Sequence, residues 1–346
     1  MRRLSRKKTV LFAAFTVSIL LIGTMTLALG VDIYLHRKFE KAAGLNIWGY
    51  RGPVVGSKQP GEIRVAVLGG STALGYGLTW SEAFPHLLEI ALNATEAGSH
   101  RRFVVVNLGF NSHGAYSFHY TLADYQYLDY DIVCLYEGYN DLGGGATLRV
   151  GRHDSTVFRM TGYYPMLPTV ATEKAMQLRY GGDLRAAYRG APVVFRPNLV
   201  DRTKAAALEA SIAIVEALDQ HFASTRLGDI VPSSDSANGC SPRWAIYCQS
   251  VATAVSDARQ LRKLVLVVTQ PYFDERHRDQ QRELRMMLRA RWGGDPQVSH
   301  IDLGQAVDLK DERLCWDGVH LTVAGNQKIA DGLVKPVLDL VPLVGR

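Results

Sequence analysis

Cysteine is scarce in this 346-residue chain, with four copies, and no two of them form a Cys-x-x-Cys pair. That spacing is the usual half of a structural zinc site, so a module of that type has no support. Acidic residues are missing from the first eight positions, which carry Arg2, Arg3, Arg6, Lys7 and Lys8. Charge of either sign is then missing from Thr9 to Val31, a run rich in Leu, Ile, Val, Phe and Ala. The net charge of +6 is accounted for by those basic residues and by Arg37, Lys38 and Lys41 against Asp32 and Glu40. The rest of the chain is close to neutral, which leaves no basic footprint for nucleic acid. Internal repeats and low-complexity tracts are also absent, so a stacked-repeat architecture is not expected.

What is present starts with that uncharged run. At about 1.5 Å per residue, residues 9–31 are long enough to cross a hydrocarbon core of about 30 Å, and a transmembrane signal anchor is expected there. A cleavable signal peptide is the alternative, with a weak small-x-small pair at Ala28 and Gly30. Cleaved apolar cores usually span only about 7–15 residues, which favours the anchor. Residues 1–8 form a basic N-terminus, and the heavier basic flank lies before the anchor. This favours a single-pass cell-membrane protein with its main domain outside the cytoplasm. Residues 32–61 read as a membrane-proximal linker that packs onto the domain. Cys134 sits in an apolar run and reads as a core residue. Outside the cytoplasm, Cys240 and Cys248 could close a small disulfide loop.

From residue 62 to 340, apolar strand-like runs alternate with helical periodicity. The strands are predicted at 63–68, 103–108, 131–136, 263–268 and 298–303. Helices are predicted at 80–93 with Ser81 as N-cap, at 117–128, 203–221, 249–261 and 275–292. A last helix is predicted from Thr322 to Val334, stopping ahead of Pro336. The strands are continuous apolar runs rather than alternating patterns. A five-stranded parallel sheet covered on both faces follows, in an α/β fold. The stretch 143–197 loses periodicity and reads as an insertion that shapes a substrate pocket.

Chemistry-bearing residues collect where these strands end. Strand one runs into Gly69-Gly70-Ser71, strand two into Gly109-Phe-Asn-Ser112-His-Gly114, and strand three into Glu137-Gly138-Tyr139-Asn140-Asp141. After strand five comes Asp317-Gly318-Val319-His320. In a parallel sheet these ends share one edge, where ligands bind in open α/β folds. A serine on a tight strand–helix turn is a candidate nucleophile. A phosphate loop is excluded, because Tyr76 stands where its lysine belongs. His113, His119 and His153 lack metal-like partners, and Glu137 reads equally as a pocket residue or a strand-end charge.

This set resembles the SGNH (GDSL-type) hydrolase superfamily over residues 62–338, as a membrane-anchored member. Gly69-Gly70-Ser71 matches the family's Gly-x-Ser turn, Gly138-Tyr139-Asn140-Asp141 its Gly-x-Asn-Asp block, and Asp317 to His320 its Asp-x-x-His block. The resemblance implies a flavodoxin-like three-layer sandwich and a serine esterase or acylhydrolase with no cofactor or metal. Ser71 would attack, His320 would move the proton and Asp317 would orient the imidazole. The oxyanion hole would use the amide of Ser71, the side chain of Asn140 and an amide of the second block. Two departures stand out. Gly70 replaces the usual aspartate before the nucleophile. Ser112 holds the place, counted from Asn107, of the usual second-block glycine, leaving Ser112, Gly114 and Gly109 as candidates for that amide. The expected partner is an ester of a cell-envelope glycan or lipid, with acetyl as one candidate acyl group. An O-acyltransferase acting on a glycan and a non-catalytic envelope glycan-binding protein are the competing readings.

Overall fold

The structure, a computed structural model, describes residues 6–40, 44–97, 99–143, 150–179 and 239–345, with a few positions between 200 and 207. They group into two compact units, one from Met1–Phe39 with Pro165–Leu218 and one from Glu40–Tyr164 with Asp219–Arg346. The helix predicted at 203–221 lies almost wholly outside the described residues.

In the first unit, helix α1 (Arg6–Phe39) extends beyond both ends of the predicted span. Its apolar residues from Val10 to Leu29 are exposed, and it is long and apolar enough to cross a membrane. Backbone hydrogen bonds satisfied within the helix make such a crossing feasible. Near its C-terminal end the character changes. Asp32 and His36 are buried and stand 3.4 Å apart, and the Asp32 carboxylate accepts the Leu167 amide.

The second unit carries strands β1 (Glu62–Gly69), β2 (Arg102–Asn107), β3 (Ile132–Tyr136), β4 (Leu264–Thr269) and β5 (Val298–Asp302). All pair in parallel, in the order β2-β1-β3-β4-β5. This is the flavodoxin-like order, in which the chain reverses direction across the sheet between β1 and β3. Side chains alternate between faces along each strand. Ala66, Leu68, Val133, Leu135, Val265 and Val267 enter one core with the helices Phe118–Asp124 (α4), Ala245–Gln260 (α7) and Glu275–Trp292 (α8). Val65, Val67, Ile132, Cys134, Leu264 and Leu266 enter the other with Phe84–Thr95 (α3) and Val323–Leu340 (α9). Both faces are covered, which is why the strands read as unbroken apolar runs. The remaining helices are α2 (Ser71–Leu74), α5 (Thr156–Thr161) and, in the first unit, α6 (Leu167–Arg179).

Several helix ends depart from expectation. The stretch predicted from Trp80 begins as a short 3-10 turn, Trp80–Glu82, capped reciprocally by Thr79 and Glu82; Ser81 is not a cap. The predicted 117–128 helix breaks into α4 flanked by 3-10 turns. Helix α9 runs through Pro336 to Leu340 instead of stopping before it. A proline inside a helix costs about 3 kcal/mol. Here Leu333, Val337 and Leu340, all 4% exposed or less, lie on both sides of it in the core and outweigh that cost.

In the stretch before β1, Leu45 and Asn46 are buried in the second unit. Tyr50 and Arg51 are buried, and Arg51 pairs across its backbone with Asn107. Its guanidinium donates to the carbonyls of Leu74 and Gly75 at 2.7 and 3.0 Å and to that of Leu78. An arginine from the linker therefore clamps the chain that leaves α2. Cys240 and Cys248 are disulfide-bonded, and Cys134 is a buried free thiol.

Candidate active site

The turn after β1 is set by space. A Cβ at Gly69 would lie 2.2 Å from the Tyr136 carbonyl, so the strand end admits only glycine. Gly70 has an extended backbone that any residue adopts, yet a Cβ there would lie 2.3 Å from Asn140 Nδ2 and 2.4 Å from Glu137 Oε2. Ser71 follows as the first residue of α2, on the carboxyl edge of the sheet.

The last block meets it there. Asp317 Oδ1 accepts the amides of Val319 and His320 at 3.0 and 2.7 Å, and the Trp316 amide closes the loop onto the His320 carbonyl at 3.1 Å. Gly318, at φ +87°, supplies the left-handed corner this tight loop needs. The geometry leaves Asp317 Oδ2 2.7 Å from His320 Nδ1, and His320 Nε2 2.9 Å from Ser71 Oγ. The carboxylate fixes the tautomer: Nδ1 carries the proton it donates to Asp317, and Nε2 is left to accept from the serine hydroxyl. Partial burial works to raise the Asp317 carboxyl, but hydrogen bonds from the His320 ring and amide and from Val319 outweigh it, and its pKa lies below the usual value. Thr322 caps α9, the helix that follows His320, by accepting the Gly325 amide. Trp316 stacks on the imidazole with centroids 5.4 Å apart at 22°, and Tyr76 lies 4.9 Å from it.

The second and third blocks are stitched together beside this chain of hydrogen bonds. Asn140 Nδ2 donates to the His113 carbonyl at 2.8 Å, and Asp141 accepts the Ala115 amide with both oxygens, at 3.0 and 3.2 Å. Gly114 packs so closely that a Cβ would lie 2.7 Å from Asp141 Oδ1. Of the three candidate amides, Gly109's donates to Asn107 Oδ1 at 3.0 Å and is removed from contention. The Gly114 amide faces the Tyr116 hydroxyl, whereas those of Ser112 and Ser71 find no backbone acceptor among the described residues. Ser112 has φ +59°, in the left-handed region that favours glycine, which gives a physical reason for the glycine expected there. From the end of β4, Gln270 accepts the Tyr139 amide at 3.1 Å and donates to Thr72 at 2.7 Å, tying the third block to α2.

Beneath Asn140 lies Glu137, 3% exposed. Its Oε1 accepts the amides of Gly138 and Asn140 at 2.9 and 3.2 Å, and Asn140 Nδ2 approaches Oε2 at 3.4 Å. Burial raises its pKa to about 7 against these hydrogen bonds and that of the Gly70 amide. Burial also raises Asp141 well above the carboxylate range, with the Glu137 charge adding to it. No cation pairs with either among the described residues. Sequence reasoning leaves Glu137 undecided and misses Gln270, Trp316 and Tyr76. Position could have found Gln270, just past β4, and Trp316, next to Asp317, but Tyr76 carries no such signal.

The other histidines stand apart from this chemistry. His113 is fully buried, accepts the Gly151 amide at 3.0 Å, and is kept neutral by burial and then by Arg152. His119 and His153 pair with Asp257 and Asp124. Among the described residues no cluster of three or more His, Cys, Asp or Glu could hold a metal ion.

No family model and no curated protein matches the sequence. Among solved structures the chain is similar to a lipolytic protein of the G-D-S-L family from Desulfitobacterium hafniense, at 10% identity and TM-score 0.39, covering 79% of this chain and 98% of that one. It is similar to the lipase/acylhydrolase from Enterococcus faecalis, at 13% identity and TM-score 0.43, covering 80% and 95%. It is also similar to a catalytic mutant of an acetylxylan esterase from Geobacillus stearothermophilus, at 13% identity and TM-score 0.40, covering 79% and 93%.

Proposed function

We propose that this protein is a membrane-anchored serine hydrolase that removes an acyl group from an ester. The observation that carries the reading is the unbroken path Ser71 Oγ to His320 Nε2, and Nδ1 to Asp317, at 2.9 and 2.7 Å. Ser71 attacks the ester carbonyl while His320 takes its proton. The same imidazole, now doubly protonated and facing Asp317, gives the proton to the departing alkoxide. Water then attacks the acyl-enzyme by the same route in reverse, releasing the acid and restoring Ser71. The oxyanion that forms at each step is met by the Ser71 amide, by Ser112 or Gly114, and by Asn140 Nδ2 on release of its longer contact, 3.4 Å to Glu137 Oε2.

The membrane helix and the Cys240–Cys248 bridge support an extracytoplasmic domain, since disulfides persist in oxidising compartments. An ester on an envelope glycan or lipid fits that placement. Hydrolysis of a short p-nitrophenyl ester by the full chain in detergent tests the reading. Loss of turnover in Ser71→Ala is expected, and wild-type turnover in that variant would sink the assignment.

A further inference from the structure

The turn that carries Ser71 lacks the aspartate the resemblance places before the nucleophile, and the space such a side chain would enter is occupied. A Cβ on Gly70 would fall between Glu137 Oε2 and Asn140 Nδ2, 2.4 and 2.3 Å away. Glu137 reaches that point from the end of β3, the neighbouring strand. Its acceptors meet groups that the proposed reaction depends on: the backbone and side chain of Asn140, and the amide of Gly70 next to the nucleophile. Holding a carboxylate there is costly, because it is buried and no cation offsets it among the described residues. A glutamine could not replace it without turning an amino group toward the N–H donors of Gly70 or Asn140.

We propose that Glu137 is a positioning residue that holds Asn140 and the Gly70–Ser71 turn in oxyanion-binding geometry, supplying from β3 the carboxylate that the turn lacks. This rests on the serine-hydrolase reading above. The arrangement explains Gly70: any side chain there would collide with Glu137 Oε2 and Asn140 Nδ2.

The experiment uses the full chain in detergent with a short p-nitrophenyl ester. Glu137→Gln should lower kcat about 10- to 100-fold, the scale of a displaced catalytic group, with KM within about threefold of wild type. A purely structural role would lower the active fraction and leave kcat per fluorophosphonate-reactive site unchanged. A second variant keeps the outcome decisive should Glu137→Gln not fold. Glu137→Asp keeps a carboxylate on the same strand end and should retain at least about tenfold more kcat than Glu137→Ala. Wild-type kcat per reactive site in Glu137→Gln, or equal kcat in Glu137→Asp and Glu137→Ala, overturns the proposal. Activity surviving in Ser71→Ala would instead overturn the hydrolase reading itself, so the two failures are distinguishable.

Discussion

The two halves of the site are built differently. On one side, Ser71, His320 and Asp317 are linked through side chains, partly exposed, and each makes the hydrogen bonds its chemistry requires. On the other, the proposed oxyanion side consists of backbone amides and Asn140 resting on buried Glu137 and partly buried Asp141, two acids with no counter-ion among the described residues. A nucleophile and its base must exchange protons with substrate and stay within reach of it. Oxyanion donors must only stay still, and rigidity can be had from a dense buried network at some cost in stability. In the proposed reaction the first half carries the proton transfers, and the second carries the strain.

The largest effects should come from the first half. Ser71→Ala should lower kcat/KM by about 10⁴-fold or more, and Asp317→Asn by about 10⁴-fold, since the amide leaves the imidazole in the wrong tautomer. Steady-state ester hydrolysis measures both. A smaller loss in Asp317→Asn than in Asn140→Ala would invert the comparison. Asn140→Ala should lower kcat about 10²–10³-fold, the usual loss for one oxyanion donor, with little change in KM.

Smaller effects probe the buried acids. Glu137 keeps its proton to about 7 in the fold against an ordinary value of 4.5. Between those values the folded state binds more protons than the unfolded one, so this group's contribution to stability falls as pH rises and is lowest above about 7. Melting of Glu137→Gln relative to wild type should therefore shift in the variant's favour from pH 5 to pH 8, by at most about 3 kcal/mol. A flat difference would remove the buried ionisation from the account. Smallest of all, Ser112→Gly should stabilise by about 0.5–1 kcal/mol, the relief of a left-handed residue less the glycine's extra chain entropy. Chemical denaturation reads it, and destabilisation would contradict the strained turn.

The difference between the halves also governs what the sequence discloses. In the proposed reaction Ser71, Asp317 and His320 act through side chains, so that chemistry constrains residue type, and the constraint is visible in the string. The parallel sheet is equally visible, because burial on both faces writes unbroken apolar runs such as Leu264 to Val268. An oxyanion amide is blind to its own side chain, so only the structure sets Gly109 aside, by its bond to Asn107, and shows the Gly114 amide facing Tyr116. Glu137 looks like any charge at a strand end until Gly70 is seen pressed against it. Pro336 reads as a stop because local backbone cost is all a sequence displays, while the core on both sides of it belongs to the fold.

The central claim is that Ser71 is a nucleophile activated by His320. Treating the full chain with a fluorophosphonate tests it directly: the serine oxygen attacks phosphorus, fluoride leaves, and the adduct is located by peptide mass spectrometry. The account predicts stoichiometric modification at Ser71 in the wild type and slow or absent modification in His320→Ala. A chain that stays unmodified at Ser71, or reacts equally fast without His320, would contradict it.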